Sequence, residues 1–416
     1  MSKRNRVLYL ISRENALEPG VIKSQALDLI GQILKQNKSV EVTVLNFPSI
    51  NRFLKYIGNY GKVKEYCRNI GIKLIVIPIF PIGRSIMPLW AMPFFLVQVI
   101  PWVLFFVVRY RINIIHARAY LSALAVWFLR KIGIKVGFIF DMRAPYILEG
   151  IIHKRWQKSD FDYRVWEGLE REMFSSADAV VSQATGMTDY ARDISPTAAV
   201  SYIPNCIDPK LYELTIKERE TGRNTLGIAD RFVFVYSGSF GDLHPPGFIA
   251  DLYSEFRKYV PRPYFLVVTY SDPAEITQSL LNLGVPKHEF KVLHHPPTLE
   301  KILPLGDAGI GTMGRDILTT SLVLSVKVAE YLAAGLPLIV PPEMKSVSGI
   351  VENENCGVVI DSFDRNDIRV KMRKLVKERE TFKKNALKLA KDYFSVKVCA
   401  RKYLEIYDEL TQKNKS

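Results

Sequence analysis

The stretch "SVKVAEYLAAGLPLIVPP", residues 325–342, reads as a short helix followed at once by a buried strand. Gly335 tolerates the left-handed conformation that ends a helix, and Pro337 cannot continue the hydrogen-bond ladder. The run "LPLIVPP" that follows is short, apolar and β-rich, as a strand covered on both faces should be. Two charged residues interrupt this apolar company. Lys327 sits near the positive end of the helix, where the macrodipole disfavours a cation unless an anion is close by, and Glu330 follows one turn later. Ser325 is placed to cap the helix.

The same alternation extends in both directions. Upstream, "RVLYLIS", "VEVTVLNF", "KLIVIPIF", "INIIHAR", "KVGFIFDMR" and "DAVVSQA" are strand-like, and amphipathic segments such as "KSQALDLIGQILKQ" separate them. After the polar connection "TIKERETGRNTLGIADR" the pattern restarts with "FVFVYSGS", then "YFLVVT", "FKVLHH", "AGIGTM", "PLIVP" and "GVVID". Apolar strands alternating with helices indicate parallel sheets covered on both faces. The expected architecture is α/β: a first doubly wound domain over 1–206, a second over 207–390, and a C-terminal helical segment over 391–416. In such sheets ligands bind beyond the carboxyl ends of the strands, so two of them facing across a cleft place function in the loops after the strands.

Composition narrows the partners. With 57 Lys and Arg against 42 Asp and Glu, the formal charge of +15 favours anionic ligands or an anionic membrane surface. The basic residues are scattered, without the aromatic interleaving of a nucleic-acid binder, so no nucleic-acid partner is expected. Cys67, Cys206, Cys356 and Cys399 are far apart and form no CxxC pair, which suggests neither a zinc site nor a disulfide framework and fits a reducing cytoplasm. His294 and His295 are adjacent, so on a strand they point to opposite faces and cannot chelate one metal. The N-terminal "MSKRNRVLYLISRENA" suits a first strand better than a signal peptide.

Residues 85–108, "SIMPLWAMPFFLVQVIPWVLFFVV", carry no charge over 24 positions, enough to cross a bilayer. Three prolines interrupt the run. It reads as a buried core helix, an interfacial docking element or a span; a span would place strands of one sheet on opposite sides of the membrane.

Candidate ligand residues cluster in the second domain. "VYSGSFGDLHPPG" runs from a strand into Gly238, Ser239 and Gly241, where glycines let backbone amides approach a phosphate, or serve the turn alone. The loop before the opening helix supplies Arg315. Together Arg315, Ser325 and Lys327 would form a diphosphate site, with Glu330 accepting from a diol; the alternative is a Lys327–Glu330 pair on a helix surface. In the first domain His116 and Arg118 end one strand, and Asp141 and Arg143 end the next, so all four are expected at the ligand edge. All four would touch a ligand there, unless Asp141 and Arg143 form a structural pair.

The segment "SVKVAEYLAAGLPLIVP" resembles the Lys-x-x-Glu-Tyr-x-x-x-Gly-x-Pro motif of retaining glycosyltransferases of family 4 (group 1), which have the GT-B fold. "PGVIKSQ", containing Gly20, then "NIIHARA", "FIFDMRAP", "SSADAVVSQA", "SYIPNCID", "YSGSFG" and "LGDAGIGTM" follow that family's order over nearly the whole chain. The resemblance implies metal-independent transfer of a hexose from a nucleotide-diphosphate sugar with retained configuration, and no cofactor beyond that donor, UDP being favoured. It implies that Glu330 binds the donor ribose, that the "SGSFG" turn lies against the diphosphate, that His116 or Arg118 touches the transferring sugar and Asp141 or Arg143 the acceptor or a phosphate, and that the tail helix crosses back onto the first domain. Two positions depart from the pattern. Leu322 stands where a second glutamate is common, and "GDLHPP" stands where an Arg and a Lys usually hold the diphosphate.

A lipid-linked or other glycan acceptor, of surface-polysaccharide or lipopolysaccharide type, and a peripheral position at the inner face of the plasma membrane are the corresponding expectations. A nucleotide-sugar epimerase of the same fold and a degenerate nucleotide-sugar-binding scaffold are the competing readings.

Overall fold

The computed structural model describes residues 4–20, 22–81, 86–241, 244–294, 296, 298–311, 320–361 and 364–413. The chain divides into two compact units, residues 1–206 with 396–416, and residues 207–395.

In the first unit seven strands form one parallel sheet: β1 (Asn5–Arg13), β2 (Val40–Pro48), β3 (Lys73–Val76), β4 (Ile114–Arg118), β5 (Gly137–Met142), β6 (Ala179–Ser182) and β7 (Val200–Tyr202). Their order is β3-β2-β1-β4-β5-β6-β7. β1 leads to β2 on one side and β4 leads to β5 on the other. The sheet therefore reverses direction between β1 and β4, which opens a crevice beyond their carboxyl ends. The helix Val396–Lys413 returns to this unit. Cys399, Tyr403, Ile406, Tyr407 and Leu410, spaced three or four apart, enter the same apolar cluster as β1, β4 and the helix Asp28–Gln36. The second unit ends with the helix Arg365–Asp392, and Val396 opens the returning helix.

In the second unit six parallel strands run β8 (Phe232–Ser237), β9 (Pro263–Thr269), β10 (Phe290–His294), β11 (Ala308–Ile310), β12 (Leu338–Val340) and β13 (Gly357–Val359). The order β10-β9-β8-β11-β12-β13 reverses between β8 and β11. Asp364 accepts from the amides of Asn366 and Asp367 to start the long helix Arg365–Asp392, which buries Ile368, Met372, Leu375 and Phe382 in the core of this unit. The four cysteines are buried free thiols.

Candidate functional site

In the second unit the residues converge on the reversal between β8 and β11. Lys327 lies in the first turn of the helix Val326–Ala333, with only 6% of its surface exposed. Its Nζ is 4.6 Å from the centre of the Tyr236 ring, 3.4 Å from Tyr236 Oη and 3.4 Å from His244 Nε2. A Cβ on Gly238 would stand 3.1 Å from that Nζ. Among the described residues no carboxylate lies within ion-pair distance of Lys327, so the helix-surface pair with Glu330 does not form. Burial lowers the Lys327 amine to about 7, against an opposing effect of Glu330. Glu330 is half-buried, and burial pushes its carboxyl up to about 7, with Lys327 opposing and Glu300 adding to the rise.

The glycine turn has little amide capacity left for a ligand. Gly238 and Gly241 have φ values of +148° and +157°, which only glycine adopts readily. Their amides are already committed: Gly238 N–H donates to Val268 O at 3.0 Å and Gly241 N–H to His244 O at 3.3 Å. Phe240 N–H donates to Ser271 Oγ. Ser239, exposed between them, is left as the turn's amide donor toward a ligand. Gly238 thus serves to admit the Lys327 amine. Tyr331 Oη accepts from Ser237 N–H at 2.6 Å and locks the helix to the end of β8. Ser325 occupies the N-cap position in an extended conformation, but its hydroxyl caps no amide of the helix. Arg315 lies outside the described residues, as does His295.

In the first unit three of the four candidates, His116, Asp141 and Arg143, are joined by one buried network, and Arg118 has partners of its own. His116 pairs in register with Tyr9 on β1, and Arg118 with Asp141 on β5, so these side chains share one sheet face. That face is covered by the returning helix. His116 Nδ1 is 2.9 Å from Tyr407 Oη, His116 Nε2 is 3.3 Å from Asp141 Oδ2, and Tyr9 and Tyr403 flank its ring. Asp141 also accepts from Arg143 Nη2 at 2.6 Å and from Gln183 Nε2 at 2.8 Å. Burial lowers the pKa of His116 against the pull of Asp141, which keeps it neutral. For Asp141 burial acts upward, but Arg143 and His116 outweigh it and hold the carboxyl well below its usual range.

His116 and Asp141 therefore do not point to the ligand edge. Side chains within a strand stand perpendicular to the sheet, and only residues past its end reach the crevice. Asp141 and Arg143 form the structural pair that was the alternative. Arg118, 2% exposed, is held by Glu14 at 2.7 and 3.1 Å and by Gln25 Oε1 at 3.0 Å. Glu14, which sequence reasoning did not single out, bridges the β1/β4 reversal with its side chain 36% exposed. Its signal was position: it follows β1 directly, one residue after Arg13, a non-glycine with φ of +70°. Gly20, with φ of +115°, turns the exposed loop that follows. His244, also missed, stands in the "GDLHPP" segment against the Lys327 amine. Among the described residues no cluster of His, Cys, Asp and Glu could hold a metal.

Residues 40–206 match the model of the glycosyl transferase 4-like domain. No curated protein matches the sequence. Among solved structures, Anabaena HepE in complex with UDP is similar with a TM-score of 0.68 at 15% identity, covering 97% of this chain and 100% of that one. Sucrose-phosphate synthase from Thermosynechococcus elongatus gives 0.72 at 15% identity, covering 99% and 100%. WaaG, a glycosyltransferase involved in lipopolysaccharide biosynthesis, gives 0.61 at 14% identity, covering 97% and 99%. Two parallel sheets with flanking helices give the chain the GT-B fold, shared with these structures, and residues 40–206 carry the likeness to a glycosyl transferase 4-like domain.

Proposed function

We propose that the protein transfers a hexose from a nucleotide-diphosphate sugar, UDP-linked by preference, to a growing lipid-linked glycan of surface-polysaccharide or lipopolysaccharide type, with retention of configuration. The transfer takes place at the cytoplasmic face of the plasma membrane. The observation that carries the donor half is Lys327, a buried amine with no carboxylate partner among the described residues, seated against Gly238 where the β8/β11 sheet reverses. A diphosphate supplies the missing anion. The first-turn amides of Val326–Ala333 and the Ser239 N–H add donors, and Glu330 accepts from the ribose diol. That UDP is the ligand seen with HepE supports the choice of nucleotide. WaaG's part in lipopolysaccharide synthesis supports the choice of acceptor class.

Cleavage of the sugar–phosphate bond leaves positive charge on the sugar and negative charge on the departing diphosphate. Cations and amides already aimed at the diphosphate lower that barrier without reorganising. In the first unit, the Arg118-held, partly exposed Glu14 is proposed to orient the acceptor.

The test is a screen of nucleotide sugars against membrane extracts, with mass analysis of the product and its anomeric configuration read by NMR. Conversion of a labelled donor without any acceptor would point to the epimerase, and no binding of any nucleotide diphosphate to the scaffold. Glu330→Ala should weaken UDP binding by about 1–3 kcal/mol in titration calorimetry, as loss of a charge-assisted hydrogen bond does. An unchanged affinity in the folded variant would remove Glu330 from the site.

A further inference from the structure

The charge-free segment forms a 3-10 turn, Leu89–Ala91, continued by the helix Met92–Arg109. Leu89–Arg109 is long and apolar enough to cross a bilayer by length and composition. One face is committed to the protein: Phe95, Val99, Ile100, Val103, Phe106 and Val107 are buried. The opposite face is an exposed stripe of Trp90, Phe94, Val97, Pro101, Phe105 and Val108, with Trp90 at 69%, Val97 at 73% and Val108 at 75% exposure. These positions advance by three or four residues and cover about 27 Å of helix length at ~1.5 Å per residue. Such a continuous apolar surface is uncommon on a solvated helix.

Cations lie at both ends of this stripe. Arg109 and Arg111 are exposed at its C-terminal end, where Lys73 lies 3.9 Å from the Tyr110 ring centre. At the other end Leu89 N–H donates to Asp162 Oδ2, and Ile86 and Pro88 share a cavity with Arg155 and Phe161. Lys154, Arg155 and Lys158 are exposed there, beside the exposed ring of Phe161. The acids of that end are engaged, Asp160 with Gln157 N–H and Asp162 with Leu89 N–H. No acid occurs between residues 66 and 140.

We propose that this face docks flat on an anionic bilayer, its aromatic stripe entering the headgroup–acyl boundary while the terminal cations meet lipid phosphates. The surface complements an anionic bilayer in both respects: apolar along its length and basic at its ends. A crossing is incompatible with the fold. β3 precedes the helix and β4 follows it, and both lie in one sheet. This deepens the function proposed above by placing the enzyme's first unit on the surface where a lipid-linked acceptor resides, and it rests on that reading only for the acceptor.

The test is sedimentation of the full-length protein with vesicles of phosphatidylcholine alone and of phosphatidylcholine with phosphatidylglycerol, without donor or acceptor. Binding to the anionic vesicles should exceed binding to the neutral ones by about tenfold, and Phe94→Asp with Phe105→Asp should abolish it while UDP affinity and Tm persist. Equal sedimentation of the double variant overturns the proposal, as does failure of the unmodified protein to bind. A soluble dimer that the same substitutions dissociate assigns the face to a second copy, and resistance to alkaline extraction from cell membranes assigns it to a span; either result overturns docking. Transfer in detergent without vesicle binding would remove the docking alone. Vesicle binding without transfer to any lipid-linked acceptor would remove the functional reading alone.

Discussion

At pH 8 the amine of Lys327 is mostly neutral, because burial lowers it from 10.5 to about 7 in the folded chain. Between those two values the unfolded chain holds a proton that the folded chain has lost. Stability therefore rises with pH across that window, and the cost of the buried charge is complete below pH 7. A diphosphate placed against the amine favours its charged form, so binding at pH 8 should take up about one proton. Calorimetry of UDP binding in two buffers of different ionisation enthalpy at pH 8 reads this directly, since Glu330 is already ionised there. Buffer-independent heats would mean that the amine does not face the diphosphate, and Lys327→Met should abolish the buffer dependence. The sequence marked Lys327 as an uncomfortable cation because helix position and apolar neighbours are local facts. It could not tell whether Glu330 three residues on was its partner, since that depends on side-chain directions set by β8 and Tyr331.

The turn 238–241 and the charged knot around Asp307 illustrate how elements are held. Gly238 combines a φ of +148° with a 3.1 Å approach to Lys327 Nζ. Gly238→Ala should cost about 1–3 kcal/mol of stability through backbone strain, and should also displace the lysine and weaken UDP binding. Chemical denaturation and calorimetry on one preparation separate the two effects, and a variant with unaltered UDP affinity would show that the glycine serves the turn alone. Asp307 accepts from Arg219 and Arg379 with Oδ1, and from Arg223 and Val233 N–H with Oδ2. It ties the helices Ile216–Leu226 and Arg365–Asp392 to the sheet. Asp307→Ala removes the carboxylate that three guanidinium groups share and should lower stability by about 3–5 kcal/mol, the scale for breaking a buried ion pair. A denaturation midpoint equal to that of the unmodified chain would contradict this. Nothing local in "LGDAGIGTM" announces the knot, because its three arginines come from positions 72 to 88 residues away.

For the whole molecule, the returning helix is the least local feature. It closes the first unit's core with Tyr403 and Tyr407, and Tyr407 completes the chain of contacts through His116 to Asp141. Ending the chain after Ser395 would uncover that apolar face. The truncated protein should bind a hydrophobic dye and lose cooperative unfolding of the first unit. A soluble truncated form with unaltered unfolding would show that the helix is dispensable.

The sequence by itself determined the two doubly wound units, their strands and the positions of the loops after them, because hydrophobic period and glycine or proline punctuation act over a few residues. Its ordered motifs also pointed to the glycosyltransferase class. Only the tertiary structure decided which charged groups are available. His116 and Asp141 lie within strands, and the sheet face they occupy is sealed by a helix that begins 280 residues after His116. Glu14 is brought to the reversal of the sheet, and one face of the uncharged helix is left exposed. Burial and pairing are properties of packing between distant segments, and local spacing carries no record of them.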